Sequence, residues 1–429
     1  MAAARRPSLL SDDLLRHLMA AGQTDVLIGI PTLNNAATLE PVLSALHQAV
    51  AEGLAQYRVL VVNSDGGSQD GTQALVGLSA RSHTATLLAS HSLRTMHRIA
   101  APYHGMPGKR AAIRTLLAAA DLLQVRAVAI IDPAASSPSA EVYRVLLLAA
   151  LDSKADFVAP SPARDPREGP FVTQVVRPMI AGVFGASFED PLAEEFTASG
   201  RFAADVLRCT AWEAEPLRAG VDIWLRAHAL AGGFRTVEVT TAPRPRSAAA
   251  AQATLRDVVQ QVLPAVWTCL DVYAAQWGTG STAAWPEQMG PPQGLSPPPQ
   301  WELREMERAF QSAAVDLGPV WRNILPGPLV DALMLAAAET ETPRFPDAVW
   351  ADVLVEFALA WRARRVRVDD LTSSFAPIYL GRAAAFLRET RGAHASEARA
   401  RLDELVRHIQ LRRQRLQEAW REAKPGGAS

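Results

Sequence analysis

Two short apolar runs near the N-terminus each stop abruptly at a polar loop. Val26, Leu27, Ile28 and Ile30 lead into Pro31, Thr32, Leu33, Asn34 and Asn35, and Val59, Leu60, Val61 and Val62 lead into Asn63, Ser64, Asp65, Gly66 and Gly67. Apolar, β-branched runs bounded by Asn, Asp, Ser and Gly predict buried strands that empty into tight turns. A helical pattern over residues 38–54 lies between them, so the three segments predict a βαβ unit. The alternation continues to about residue 160, with a short strand over 127–131 that ends at Asp132. Strands alternating with helices predict an α/β domain with a mostly parallel sheet. Residues 1–24 predict a helical lead-in starting at Ser11, residues 220–240 a helix and then a strand over 236–239, and residues 254–277 a long apolar-periodic helix.

The pattern changes after residue 277. Residues 278–300 are rich in Gly, Ser, Thr and Pro, a composition that builds no core and favours extended polyproline conformation. We read them as a linker or surface loop, which separates a domain over 25–277 from an all-helical domain over 301–429. The last helix, about 396–424, is dense in Arg and Glu around Leu402, Leu405, Val406, Ile409, Leu411, Leu416 and Trp420. Such an amphipathic helix packs on a partner helix or on a second subunit, so a homo-oligomer through these helices is one expectation.

Composition narrows the picture. The chain has 429 residues, 49% hydrophobic, with a formal net charge of −1. That is enough apolar residue for a sizeable core, and the charge gives no electrostatic case for nucleic acid or for an anionic membrane. Two cysteines argue against a disulfide framework and fit a cytoplasmic location. There is no apolar stretch after Arg5 and Arg6 of the secretory type and none long enough to span a membrane.

The loops "IGIPTLNNAATL" and "VVNSDGGSQDGT" resemble the nucleotide-sugar half of GT-A glycosyltransferases, and within them the retaining group of glucosyl-3-phosphoglycerate synthase and mannosylglycerate synthase. "PYHGMPGKRAAIRTL", "VAIIDP", "DFVAP", "EGPFVTQVVRP", "PLAEEFTAS" and "AGVDIWLRAHALAGGFRT" follow in the same order, so the resemblance covers roughly residues 24–275. It implies a GT-A domain with a C-terminal helical extension. It also implies transfer of a hexose from a nucleoside diphosphate sugar to a small acidic acceptor of the glycerate or phosphoglycerate type.

Residue by residue, the resemblance places Pro31, Thr32, Asn34, Asn63 and Asp65 around the base and ribose, and Gly105, Gly108 and Lys109 along the diphosphate. Backbone approach at the two glycines and the point charge of Lys109 suit that ligand. Gly169, Phe171, Val172, Thr173 and Arg177 fall on the acceptor stretch, with Arg164 and Arg167 adding charge nearby. Asp132, Glu195 and Asp222 fall on acidic positions of the catalytic centre. The chain also departs from the pattern. The family's Asp-x-Asp reads Asp132-Pro133-Ala134 here, and no His occurs between His228 and His394 where a late metal ligand is expected. The Mg²⁺ or Mn²⁺ of the family therefore lacks ligands, since hard cations want several oxygens. Arg244 and Arg246 are the candidates to neutralise a diphosphate in its place. The competing expectation is an inactive homologue that keeps the nucleotide pocket as a binding or scaffold protein.

Overall fold

In the computed structural model the described residues are 9–79, 85–90, 108–135, 137–152, 155–243, 255–277, 285–291, 293–297, 300–339 and 345–423. Gly105, Arg244 and Arg246 lie outside them.

The lead-in helix α1 (Asp12–Ala21) starts where Ser11 accepts a hydrogen bond from the Leu14 amide. Strand β1 (Val26–Thr32) is buried on both faces, helix α2 (Ala36–Gly53) crosses over, and β2 (Val59–Asp65) pairs with β1 in parallel. Helix α3 (Thr72–Ser79), β3 (Ala85–Ser90), α4 (Lys109–Leu122), β4 (Ala127–Ile130), α5 (Ala140–Asp152) and β5 (Phe157–Pro162) continue the alternation. A π-helical turn over Val172–Val176 runs into α6 (Arg177–Phe184). Then come β6 (Phe196–Ser199), α7 (Gly200–Leu207), α8 (Val221–Ala231), β7 (Thr236–Thr241) and α9 (Leu255–Val272). The sheet order is β3-β2-β1-β4-β6-β5-β7-β8, where β8 is Glu287–Met289. Only β6 runs against its neighbours; the other pairings are parallel.

That topology puts the carboxyl ends of β1, β2, β4, β5 and β7 on one edge. The order reverses between β1 and β4, and an open α/β sheet has its ligand crevice at such a switch. Because β6 is antiparallel, it begins on that same edge. Phe196 pairs with Ile130, so the residues just before β6 stand beside those just after β4.

The helices α10 (Leu303–Ile324), α11 (Gly327–Ala338), α12 (Asp347–Arg362), α13 (Val368–Glu389) and α14 (Ala395–Glu422) form the C-terminal extension. One continuous apolar core joins it to the sheet's helices. Trp350 Nε1 donates to the Gln174 carbonyl at 2.7 Å, and Arg382 Nε donates to Gln174 Oε1 at 2.9 Å. Arg167, expected near the acceptor, instead locks Asp165 at 2.6 and 2.7 Å and donates to the Thr390 carbonyl at the end of α13. The α14 face of Leu402, Leu405, Ile409, Leu416 and Trp420 is buried within the chain, whereas Leu411, grouped with them in the sequence, is exposed; Gly182 of α6 lets Ile409 approach where a side chain would collide.

The segment expected to be a plain linker departs from that reading. Its residues 287–289 add β8 to the sheet edge, and Ser296 receives a hydrogen bond from the Asp165 amide and donates to Glu168. Main-chain pairing needs no apolar side chains, so composition gave no sign of it.

Candidate functional site

The carboxyl edge carries three neighbouring arrangements, and the first is the pair of loops after β1 and β2. Register sets Thr32 beside Asp65. Asp65 is 2% exposed, and its carboxylate accepts from Thr32 Oγ1, the Gly67 and Ser68 amides, Ser68 Oγ and Gln73 Nε2 at 2.6–2.9 Å. Burial alone would raise its pKa, but the bonds from Ser68, Gln73 and Thr32 outweigh it and hold the carboxyl below its usual range. Gly67, with φ of 94°, permits that turn. Asn63 donates to the Ile30 carbonyl and to Thr32. Asn34 takes φ of 55°, donates its amide to Ser68 Oγ and accepts from the Gln69 amide. Asp70 caps α2 from the other loop through the Ala36 amide at 2.9 Å. Pro31, Thr32, Asn63 and Asp65 are thus buried parts of a cross-laced frame, whereas Asn34 is exposed.

The second arrangement is a charged cluster at the switch point. Gly108 (φ 83°) starts α4, and the following Lys109 is 5% exposed. Lys109 Nζ meets Asp222 Oδ2 at 2.8 Å and Glu194 Oε2 at 3.3 Å. Burial would lower its pKa, but the carboxylates of Asp222, Glu194 and Asp132 raise it, so the amine stays charged. Asp132 is half-buried; desolvation and the neighbouring Glu194 and Glu195 push its carboxyl up to about 8, against a hydrogen bond from the Ala134 amide and the charge of Lys109. Glu195 is buried and accepts from Tyr143 Oη at 3.3 Å. Arg226 of α8 lies beneath, donating to the carbonyls of Asp222 and Glu195. Asp222 and Asp132 are therefore brought to Lys109, and Glu195 stands beside Asp132. Sequence reasoning missed Glu194, Tyr143 and Arg226; the antiparallel start of β6 is what brings in Glu194.

Arg110 and Arg114, which follow Lys109 at helical spacing, are occupied elsewhere. They bind the Ala214 carbonyl at 2.6 Å and Glu213 at 2.8 Å.

These residues do not suit a divalent cation. Asp132 Oδ1 already accepts from the Ala134 amide at 2.8 Å, and an ammonium is seated among the carboxylates. Asp222 Oδ1 is buried without a partner, but one oxygen is a poor site for a hard cation. Among the described residues no group of three or more His, Cys, Asp or Glu is placed to hold a metal.

The third arrangement is a cavity of about 400 Å³ at the ends of β5 and β7. Gly169, Val172, Thr173 and Arg177 line it with Arg164 and Arg399. The π turn is what presents Val172 and Thr173 there, and such turns are frequent at functional positions. Phe171 departs from the expected role: it is 3% exposed and packs edge-on against Tyr379 of α13, because this residue, just before the turn, faces the helical extension. Below the cavity Glu238 is buried beside Glu189, which pushes its carboxyl up to about 7.

Elsewhere Cys209, His228 and Asp205 stand in a row, with Sγ–Nδ1 of 3.8 Å and Nε2–Oδ2 of 3.1 Å. Tyr273 holds the same Nδ1 at 2.9 Å, and burial and Asp205 raise the thiol's pKa, so this row lacks an activated nucleophile. No helix among the described residues is long and apolar enough to cross a membrane.

No protein-family model matches the chain, and no curated protein matches it. Solved structures do. Glucosyl-3-phosphoglycerate synthase from Mycobacterium tuberculosis, in complex with Mn²⁺, UDP and glucosyl-3-phosphoglycerate, is 20% identical with a TM-score of 0.41, over 63% of this chain and 86% of that one. Mannosyl-3-phosphoglycerate synthase from Rubrobacter xylanophilus is 16% identical with a TM-score of 0.37, over 62% and 77%. A mannosyltransferase from Pyrobaculum calidifontis, in complex with GDP-Man and Mn²⁺, is 16% identical with a TM-score of 0.36, over 95% and 93%. At these identities and TM-scores the likeness carries over no residue's role.

Proposed function

We propose that this chain is a GT-A hexosyltransferase that moves a sugar from a nucleoside diphosphate donor to a small anionic acceptor, with retention at the sugar carbon. One observation carries the reading: nucleotide-type loops, a charged centre and an arginine-lined cavity follow one another along a single sheet edge. With strands about 4.8 Å apart, the order β2-β1-β4-β6-β5 supports reading the loops and the cavity as donor and acceptor regions of one site. In this reading the β1 and β2 loops hold the nucleotide, Lys109 meets the diphosphate and the cavity holds the acceptor.

The chemistry asked of the centre is stabilisation of charge on the departing diphosphate, usually the largest catalytic contribution. Lys109 keeps its charge, and a diphosphate reaching it exchanges places with Asp222 or Glu194. Asp132, whose carboxyl is pushed upward by desolvation and by Glu194 and Glu195, is the acid placed to share a proton with a phosphate oxygen. Arg244 and Arg246 are the further cationic candidates. No step is routed through a metal, because the donor set does not suit one.

A second reading is favoured by the pairing of Lys109 with Asp222 and Glu194. A centre whose cation is already neutralised suits a nucleotide-binding scaffold without turnover. The deciding experiment incubates the full-length protein with UDP-glucose or GDP-mannose and with glycerate or 3-phosphoglycerate, with and without EDTA. Product that persists in EDTA supports the enzyme reading. Nucleotide binding by calorimetry without transfer supports the scaffold. Absence of both overturns the two readings together.

A further inference from the structure

The acceptor-side cavity has a wall that the loop sequences did not supply. Arg399 and Leu402 of α14, the last helix, line it together with Thr173 and Arg177. Glu189 lies between the two guanidinium groups, 2.8 Å from Arg399 Nη1 and 3.4 Å from Arg177 Nη2. Arg177 is 5% exposed, and its other carboxylate contact, Asp403 Oδ1, is 3.3 Å away. Charge-assisted N–H···O bonds normally close to about 2.7–2.9 Å, so the carboxylates satisfy Arg177 loosely, while its guanidinium also lies over the Trp285 ring at 5.3 Å. Its Nε has no hydrogen-bond partner, and neither has Thr173 Oγ1. Two residues lining one cavity thus carry buried donors without acceptors, an arrangement that costs stability unless something fills it. Arg is the side chain whose planar fork matches a carboxylate or a phosphate.

We propose that Arg177 and Arg399 form a seat for a small carboxylate- or phosphate-bearing anion, with Glu189 occupying the seat until the anion displaces it. Calling that anion the sugar acceptor rests on the function proposed above; the seat itself does not. It gives the helical extension a recognition task beside its packing role. It also makes the C-terminal helix a determinant of acceptor choice.

Calorimetry on the full-length protein tests this, with inorganic phosphate and 3-phosphoglycerate as probes, glycerol as the uncharged control and UDP or GDP as a separate titration. The wild type is expected to bind 3-phosphoglycerate, and phosphate more weakly. Arg399→Gln is expected to weaken both about tenfold or more, the value of one charge-assisted contact, and to leave nucleotide binding unchanged. Arg399 is 44% exposed, so this variant should fold, and Arg399→Lys should lose affinity to a lesser degree. Glu189→Gln is expected to tighten anion binding several-fold, which a merely structural ion pair does not predict. An Arg399→Gln protein with unchanged anion affinity, a folded Glu189→Gln protein that binds no tighter, or a wild type that binds neither anion overturns the seat; should Glu189→Gln not fold, Arg399→Gln alone decides. Anion binding that responds as expected in a protein without transfer overturns the proposed function and leaves the seat standing. Transfer that is indifferent to Arg399→Gln while anion binding responds as expected leaves the seat standing and overturns its identification with the acceptor.

Discussion

Asp65 and Asp132 occupy equivalent places, each at or just past the carboxyl end of a parallel strand, yet their surroundings drive them in opposite directions. Asp65 receives five hydrogen bonds from its own loops, and they hold its carboxyl below the usual range. Asp132 accepts a hydrogen bond from the Ala134 amide, faces Glu194 and Glu195, and rises to about 8. A satisfied carboxylate of the first kind builds a frame. A strained one of the second kind, next to a buried lysine, is where strongly perturbed groups signal function, although structural ion networks do the same. The sequence makes the two look alike.

The largest expected effect is at the cluster. Lys109→Met leaves Asp222 and Glu194 facing each other and Asp132 without their cation. Removing one partner of a buried pair costs about 3–5 kcal/mol, to be measured by urea unfolding. A loss below about 1 kcal/mol would mean that the carboxylates take up protons or move apart, and the contrast with Asp65 would narrow.

Asp65→Ala should come next, at about 2–3 kcal/mol, because its removal strands the donors of Thr32, Ser68 and Gln73. The sign with pH follows from its depressed carboxyl. Its stabilisation is present above the unfolded value and lost as pH falls through the folded one, and Asp65→Asn should flatten that acid limb. Nucleotide affinity should fall only as far as the loops loosen. A folded Asp65→Ala protein of wild-type stability that loses nucleotide binding entirely would instead place the carboxylate in direct contact with the ligand.

The pH dependence of Asp132 has the opposite sign. Its folded pKa lies above the unfolded one, so its contribution is most favourable in acid and is lost as pH rises through about 8. Asp132→Asn should remove that decline between about pH 4 and 8, seen as a smaller drop in melting temperature across the range. The smallest effect concerns metal: EDTA should change transfer by less than about twofold, since the residues gathered here suit a cation poorly. A saturable Mn²⁺ requirement abolished in Asp132→Asn would overturn that expectation.

Much of the architecture was legible along the chain. Apolar runs ending in Asn, Ser, Asp and Gly gave β1 and β2, and Asp132 closes β4 where the pattern placed it. The residues of the site were legible less evenly. Asp132, Glu195, Asp222 and Lys109 were singled out one by one, but their gathering into one cluster depends on β6 running antiparallel, which has no local signature. Phe171 shows the same limit from the other side. Its place in the acceptor stretch was visible, whereas its turn toward Tyr379 depended on a helix more than two hundred residues away.

The sequence alone determined where most strands and helices form, β8 apart, and which residues carry charge, because hydrophobic period and turn chemistry act over a few residues. The tertiary structure alone decided what those charges do. It paired Lys109 with Asp222 across 113 residues, set Arg167 to fasten the helical extension, and brought Arg399 to a cavity that begins at Ser161. Coulomb interactions and desolvation depend on distance in space and on burial, and neither is fixed until the whole chain has packed.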